Sequence, residues 1–107
     1  MPIASDALRG YTEIIILRQL IEHDSYGYEI NKRIQQKTSG EYEFKEATLY
    51  TAFRRLEQSG YIFSYWGNEK TGARRRYYSI TKEGREYYDI GLAQWKRTKK
   101  LIEQLIL

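Results

Sequence analysis

The sequence predicts one mainly α-helical domain that also contains a small β-hairpin and ends in a long helix. Two observations support this prediction. Apolar residues recur at helical spacing in four segments, and two β-branched and aromatic runs flank a polar stretch that contains glycine. No repeat, linker or low-complexity segment divides the 107 residues. We therefore expect residues 1–80 to form a helical body with the hairpin, and residues 81–107 to form a helix that completes one compact unit.

The composition is that of a chain with a packed core. Hydrophobic residues make up 41% of the chain and aromatic residues 15%, which excludes a disordered tail. Because the chain contains no cysteine, it offers neither a disulfide nor a thiolate metal site. No apolar run approaches the length of a membrane span or of a signal-peptide core. We expect a cytoplasmic protein with no metal, no cofactor and no membrane partner.

Two helices are predicted in the first 40 residues. Residues 6–23 carry apolar side chains on more than one stripe, which indicates a helix that lies between its own core and a second surface. Asp24 and Ser25 are expected to cap a second helix over residues 26–38. Gly40 marks the end of this helix.

The third helix, predicted over residues 46–59, is the most informative segment. Leu49, Phe53 and Leu56 are spaced as one buried stripe. At about 100° per residue, the side chains opposite this stripe and on its flanks are small, hydroxyl-bearing, amide-bearing or basic. These residues are Ala47, Thr48, Tyr50, Thr51, Arg54, Arg55 and Gln58. Gly60 is expected to end the helix.

A β-hairpin and a last helix follow. Residues 61–66 and 75–80 are predicted strands, joined by a polar loop, so that the basic side chains of residues 70–76 lie at or near the hairpin tip. Thr81 is expected to cap the final helix, which has Glu83 in its first turn. Apolar residues recur near heptad spacing along this helix. They are Tyr88, Leu92, Trp95, Ile102 and Ile106, and Leu101 and Leu105 widen the stripe.

The positive charge is concentrated in one stretch of the chain. Residues 45–85 contain nine Lys or Arg against four Glu, a net charge of +5, whereas the rest of the chain has a net charge of −1. A concentration of this kind indicates an anionic partner. The alternative on charge alone is an ordinary solvated face.

Two short helices followed by a hairpin with a basic tip form a winged helix-turn-helix arrangement. A helix fits the major groove of double-stranded DNA, where arginine pairs with guanine and glutamine or threonine reaches base edges, while a basic loop neutralises phosphates. The residues expected to contact DNA are Thr48, Tyr50, Thr51, Arg54, Arg55, Gln58, Lys70, Arg74, Arg75 and Arg76. We expect Tyr50 and Arg55 to contact the DNA backbone, although Tyr50 also fits a core position.

Three alternatives compete with this interpretation. In the first, the arginines of the third helix only solvate an ordinary surface helix, and those of the hairpin only prevent edge-to-edge pairing of sheets. A winged helix can act as a protein-binding adapter that does not bind DNA, but such an adapter would favour apolar anchors on its third helix. An enzyme is the weakest alternative, because His23 is the only histidine and no glycine-rich phosphate loop is present.

Four stretches of the chain match the motifs of a known family. They are Tyr26-Gly27-Tyr28-Glu29-Ile30, Ala47-Thr48-Leu49-Tyr50, Arg54-Arg55-Leu56-Glu57 with Gly60, and Arg75-Arg76-Tyr77-Tyr78 with Thr81 and Gly84. Through them the sequence resembles the PadR-like family of transcriptional regulators over nearly its whole length, in the subgroup with a single C-terminal helix. Many members have a proline where this chain has Thr51, so its base contacts are expected to differ in detail.

The resemblance implies a homodimer formed by the first and last helices, and a repressor that binds a pseudo-palindromic operator. The apolar surface of both helices agrees with a dimer. Some members also bind flat aromatic or cationic drugs at the dimer interface. The positions that match their drug-binding surface are Ile14, Arg18, Tyr88, Leu92, Trp95 and Lys99. Trp95 would stack on a planar aromatic ligand, or it would simply pack in the interface, and Arg18 and Lys99 would repel a cation.

Overall fold

The computed structural model describes residues 5–68 and 74–107, and it confirms the predicted fold class. The elements, in chain order, are a 3₁₀ helix (Ser5–Tyr11), α1 (Thr12–Glu22), α2 (Gly27–Lys37), α3 (Glu46–Gln58), β1 (Ile62–Trp66), β2 (Arg76–Ile80) and α4 (Lys82–Ile106). The strands pair antiparallel, with Ile62 opposite Ile80 and Trp66 opposite Arg76. We call the strands and the loop between them the wing. Apart from the beginning of α1, the bounds agree with the prediction to within one residue.

The N-terminal segment differs from the prediction of a single α-helix over residues 6–23. The chain forms a 3₁₀ helix as far as Tyr11, whose φ of −114° and ψ of 6° lie outside the α region. The Thr12 hydroxyl donates to the carbonyl of Arg9 at 3.1 Å, which satisfies a backbone acceptor at the junction. Gly10 disfavours a continuous α-helix here, since glycine is a poor helix former.

The core lies between the first three helices and the wing. The stripe predicted for α3 is confirmed, because Leu49, Phe53 and Leu56 are all buried. The Phe53 ring stacks on that of Tyr78 from β2, with ring centroids 4.0 Å apart. The other core residues are Ile16, Leu17, Leu20, Ile30, Ile34, Tyr42, Phe44, Ala52 and Ile62. This packing fixes the exposed face of α3 relative to the wing.

The predicted side-chain cap of α2 is wrong, because the side chains of Asp24 and Ser25 bond to other side chains and not to backbone amides of the helix. Among the described residues, no side chain caps the first turn of this helix. Asp24 accepts a hydrogen bond from the Tyr65 hydroxyl of β1 at 2.5 Å, and the Ser25 hydroxyl donates to Glu29 at 2.5 Å. The backbone of Ser25 also exchanges two hydrogen bonds with Tyr78, at 2.8 and 3.2 Å. The start of α2 is therefore attached to the wing.

Glycines end α2 and α3 as predicted. Gly40 has a φ of +80° and Gly60 a φ of +79°, values that residues with a Cβ rarely adopt. The turn after α2 also places Ser39 at a φ of +52°. These turns separate α2 from α3 and α3 from the wing.

The last helix begins against the domain and ends away from it. Thr81 caps α4 as predicted, since its hydroxyl accepts from the Gly84 amide at 3.0 Å. The first half of α4 packs on α1, but every residue from Lys99 onward is exposed, including Leu105 and Ile106. Across the described residues, no helix combines the length and apolar character needed to cross a membrane.

Candidate nucleic-acid interface

The outward face of α3 carries the side chains predicted for DNA contact. Six of them, namely Thr48, Tyr50, Thr51, Arg54, Arg55 and Gln58, are exposed, whereas Ala52 joins the buried stripe. Tyr50 is 44% exposed, so it is not a core residue. Its ring makes an edge-to-face contact with the ring of Phe53, with centroids 5.7 Å apart. The helix thus presents hydroxyl, amide and guanidinium groups to solvent over its whole length.

A glycine allows α2 to approach α3 closely. A Cβ built on Gly27 would lie 3.0 Å from the Tyr50 hydroxyl and 3.3 Å from a Leu49 methyl. The first turn of α2 therefore lies directly beside the first turn of α3, which produces the helix-turn-helix geometry. Because the Tyr50 hydroxyl lies at this junction, it remains near the exposed face of α3.

Arg76 attaches the wing to α3. Its guanidinium lies 3.6 Å from the carboxylate of Glu57 and donates to the Ser64 hydroxyl at 2.9 Å. The Ser64 hydroxyl in turn donates to the second carboxylate oxygen of Glu57 at 2.7 Å. The same guanidinium lies over the rings of Trp66 and Tyr78, 5.8 and 6.0 Å from their centroids. This network joins α3, β1 and β2.

The two other wing arginines within the described residues lie at the base of the hairpin loop. The guanidinium carbon of Arg75 lies 4.9 Å from the ring centroid of Tyr26, the residue before α2. The Nε of Arg74 donates to the carbonyl of Gly67 at 3.2 Å. Lys70, which is also predicted to contact DNA, lies outside the described residues. Since Arg76 contacts α3 and Arg75 contacts the start of α2, the wing arginines lie beside the helix-turn-helix.

Exposed side chains of α2 also lie beside the start of α3, and they are not among the residues predicted to contact DNA. Tyr28 is 72% exposed, and together with Lys32 it lines a groove of 580 Å³ between α2 and the start of α3. Lys45, at the start of α3, lines the same groove. Tyr28 and Lys32 are four residues apart and therefore lie on one face of the helix. This spacing is the sequence signal that would have identified them as neighbouring side chains.

Two tyrosines of the wing, Tyr65 and Tyr78, have a pKa raised above the ordinary value of tyrosine. Burial raises the pKa of Tyr78, the core partner of Phe53. The hydrogen bond to Asp24 raises the pKa of Tyr65 to about 12, and burial and the Asp24 charge act in the same direction. Among residues 5–68 and 74–107, no cluster of three or more His, Cys, Asp or Glu side chains is placed to hold a metal ion.

Five of the six residues predicted to bind a ligand line one cavity of 300 Å³ between α1 and α4. These are Ile14, Arg18, Tyr88, Leu92 and Trp95. The sixth, Lys99, has its ammonium 5.6 Å from the ring centroid of Trp95. The guanidinium of Arg18 lies 3.4 Å from Glu22. Gln19 also lines the cavity, and its side-chain oxygen is buried without a hydrogen-bond partner among the described residues.

Comparison with known proteins places the chain in a family. The model of the transcriptional regulator PadR-like family matches residues 16–90. An uncharacterised protein of Lysinibacillus sphaericus is 41% identical over 101 residues, which cover 94% of this chain and 93% of that protein. The structure of a transcriptional regulator from Clostridium thermocellum is similar at 53% identity, with a TM-score of 0.89 over 98% of this chain and 99% of that one.

A second solved structure supports the same family. The PadR family transcription regulator from hypervirulent Clostridium difficile R20291 is 39% identical, with a TM-score of 0.77 over 92% of this chain and 100% of that one. Proteins of this family are DNA-binding transcriptional regulators and not enzymes. The family resemblance inferred from the sequence is confirmed, and the chain belongs to the PadR-like family of transcriptional regulators.

Proposed function

We propose that the protein is a homodimeric repressor in the cytoplasm that reads a pseudo-palindromic operator in double-stranded DNA. Residues 1–80 of each subunit bind DNA, and residues 81–107 dimerise. Each α3 enters one major groove, and the two grooves lie about 34 Å apart. The observation that carries the proposal is the exposed polar and basic face of α3, beside a wing that Arg76 ties to it through Glu57.

The side chains of α3 divide into two roles. Arg54, Gln58 and Thr51 lie opposite the buried stripe and read base edges, because they project farthest from the core. Thr48, Tyr50 and Arg55 lie on the flanks, where the sugar–phosphate backbones run beside the groove. Tyr50 is the one aromatic residue among the six, and the other five carry hydroxyl, amide or guanidinium groups rather than the apolar anchors that a protein-binding adapter would use, which favours DNA over that alternative.

The wing contributes positive charge and position. Arg74 and Arg75 are exposed and hold phosphates, and Lys70 has the same role in this proposal. The guanidinium of Arg76 is paired with Glu57 of α3 and bonded to Ser64 of β1. It sets the distance between the wing and α3, and its contact with a phosphate is secondary.

The second copy of the chain covers the exposed end of α4. Leu105, Ile106 and Leu107 are 82%, 74% and 91% exposed, and Leu101 and Ile102 are about half exposed. Soluble monomers rarely leave so large an apolar patch in water. A two-fold dimer through α4 and α1 buries this stripe, and it also places two recognition helices on one side of the assembly.

A planar aromatic ligand releases the repressor from DNA in this proposal. The cavity between α1 and α4 has mostly apolar walls, and Trp95, which lines it, is 38% exposed and offers aromatic surface for stacking. Arg18 and Lys99 beside it favour a neutral or anionic ring over a cation. Because the cavity lies on the two helices assigned to the dimer, its occupation would change the spacing of the recognition helices.

DNA-binding titrations at several salt concentrations test the proposal. The probes are the promoter fragment of the protein's own gene and a shuffled duplex of equal length. Arg54→Ala should lower the preference for the promoter by about 1–3 kcal/mol. Arg75→Ala should weaken binding to both duplexes and reduce the slope of log affinity against log salt by about 1.

Lys37→Ala is the matched control, because it also removes one positive charge. Lys37 lies at the far end of α2, where its ammonium is 3.9 Å from Glu22. In vitro transcription from the same promoter decides whether the bound protein lowers or raises transcription. Equal binding by wild type, Arg54→Ala and Arg75→Ala would contradict the assignment of both surfaces.

A further inference from the structure

A basic cleft lies beside α3, along the edge of this helix that faces away from the wing. It has a volume of 420 Å³ and separates α3 from the 3₁₀ helix and the first turn of α1. Arg9 and Arg55 belong to its opposite walls. The other lining residues are Gly10, Thr12, Glu13, Ala47, Thr48, Thr51 and Ala52. The cleft therefore contains three residues that are assigned to DNA contact, Thr48, Thr51 and Arg55. Its other wall, formed by the 3₁₀ helix and the start of α1, has no assigned role.

The two edges of the exposed face of α3 meet different elements. Tyr50 and Glu57, two turns apart, lie along one edge, where Glu57 is paired with Arg76 of the wing. Thr48 and Arg55, also two turns apart, lie along the other edge and face the cleft. The wing and the 3₁₀ helix thus lie on either side of α3.

The charge of the cleft suits an anion. Arg9 and Arg55 are exposed, and within the part of the chain that the structure describes neither forms a salt bridge. Glu13 is the one acidic residue among those that line the cleft. Its carboxylate accepts a hydrogen bond from the Tyr87 hydroxyl of α4 at 3.2 Å, so it is engaged on the α4 side.

We propose that this cleft binds the sugar–phosphate strand on the second side of the major groove, with Arg9 as a phosphate contact. The inference rests on the proposed function. A helix about 10–12 Å wide fills a groove about 12 Å wide, so each of its edges faces one strand of the duplex. The wing holds one strand, and Arg9 and Arg55 hold the other through charge-assisted hydrogen bonds.

The test compares Arg9→Ala, Arg9→Lys and Lys37→Ala with the wild-type protein, using the promoter fragment and the shuffled duplex. Arg9→Ala should lower affinity for both about tenfold and reduce the salt slope by about 0.9. Arg9→Lys keeps the charge, so it should retain the salt slope. Lys37→Ala should leave both quantities unchanged. Circular dichroism of each variant confirms that the fold is retained.

The experiment distinguishes a failure of the cleft proposal from a failure of the proposed function. If Arg75→Ala and Arg54→Ala behave as proposed but Arg9→Ala binds like Lys37→Ala, the cleft does not bind DNA and the proposed function stands. If Arg9→Lys, with its fold retained, lowers the salt slope as much as Arg9→Ala does, the charge at position 9 does not account for the slope, which also overturns the inference. If the wild-type protein binds neither duplex, both proposals are wrong.

Discussion

Gly84→Ala is a substitution for which helix propensity and packing predict opposite changes in the free energy of unfolding. Alanine in place of glycine within a helix is worth about 1 kcal/mol of stabilisation. In this helix, however, Gly84 is buried against the turn that precedes the wing. A Cβ at this position would lie 2.1 Å from the carbonyl oxygen of Tyr61 and 2.8 Å from Cγ1 of Ile80. The first contact is with backbone, so the start of α4 must move.

The movement disturbs two hydrogen bonds. The Gly84 amide donates to the Thr81 hydroxyl at 3.0 Å, and the Tyr61 carbonyl that the new methyl would strike accepts from the Thr81 amide at 3.0 Å. Overpacking costs about 1–3 kcal/mol, and the cap and the backbone bond are each worth about 1 kcal/mol. After the gain in propensity, the expected net loss of stability is about 2–4 kcal/mol.

Urea denaturation followed by circular dichroism measures this loss, at one protein concentration because the stability of the proposed dimer would depend on concentration. Gly91→Ala is the matched control in the same helix. Its Cβ would come closest to the terminal methyl of Ile14, at 3.2 Å, and a small rotation of that side chain relieves the contact. The control should unfold within about 1 kcal/mol of wild type. A Gly84→Ala protein as stable as the control would refute the packing argument.

Three further substitutions probe the wing, a tyrosine and the dimer. Glu57→Ala should lower operator affinity about fivefold, or about 1 kcal/mol, in a gel-shift titration, because Arg76 then no longer holds the wing. Asp24→Ala should move the pKa of Tyr65 from about 12 back towards 10.0, as followed by NMR of labelled tyrosine rings. Leu105→Glu should weaken dimerisation at least about tenfold in sedimentation experiments.

Each of these predictions has a contrary outcome. Tighter operator binding by Glu57→Ala would mean that repulsion between the Glu57 carboxylate and DNA outweighs the contribution of its ion pair with Arg76. The raised Tyr65 pKa implies a stabilisation that is complete below pH 10 and lost as the pH rises towards 12. If Asp24→Ala shows the same alkaline loss, another group causes it. Gln104→Glu adds the same charge off the apolar stripe, and equal dissociation of both α4 variants would exclude a specific interface.

The sequence alone determined the elements from α1 onward, although not the 3₁₀ helix before them, and it determined the outward face of α3. Leu49, Phe53 and Leu56 could be identified as buried because helical periodicity is a local property of the chain. The Thr81 cap and the turn at Gly60 could be predicted for the same reason, since each depends on residues within three or four positions. The family motifs lie in these same segments.

Only the tertiary structure decided which polar side chains meet. Asp24 has the composition of a helix cap, yet it accepts a hydrogen bond from Tyr65, 41 residues away in sequence. The pairing of Glu57 with Arg76 and the cleft that joins Arg9 to α3 are likewise contacts between separate elements. Local propensity carries no information on such contacts, because they depend on how α1, α3 and the wing pack around one core.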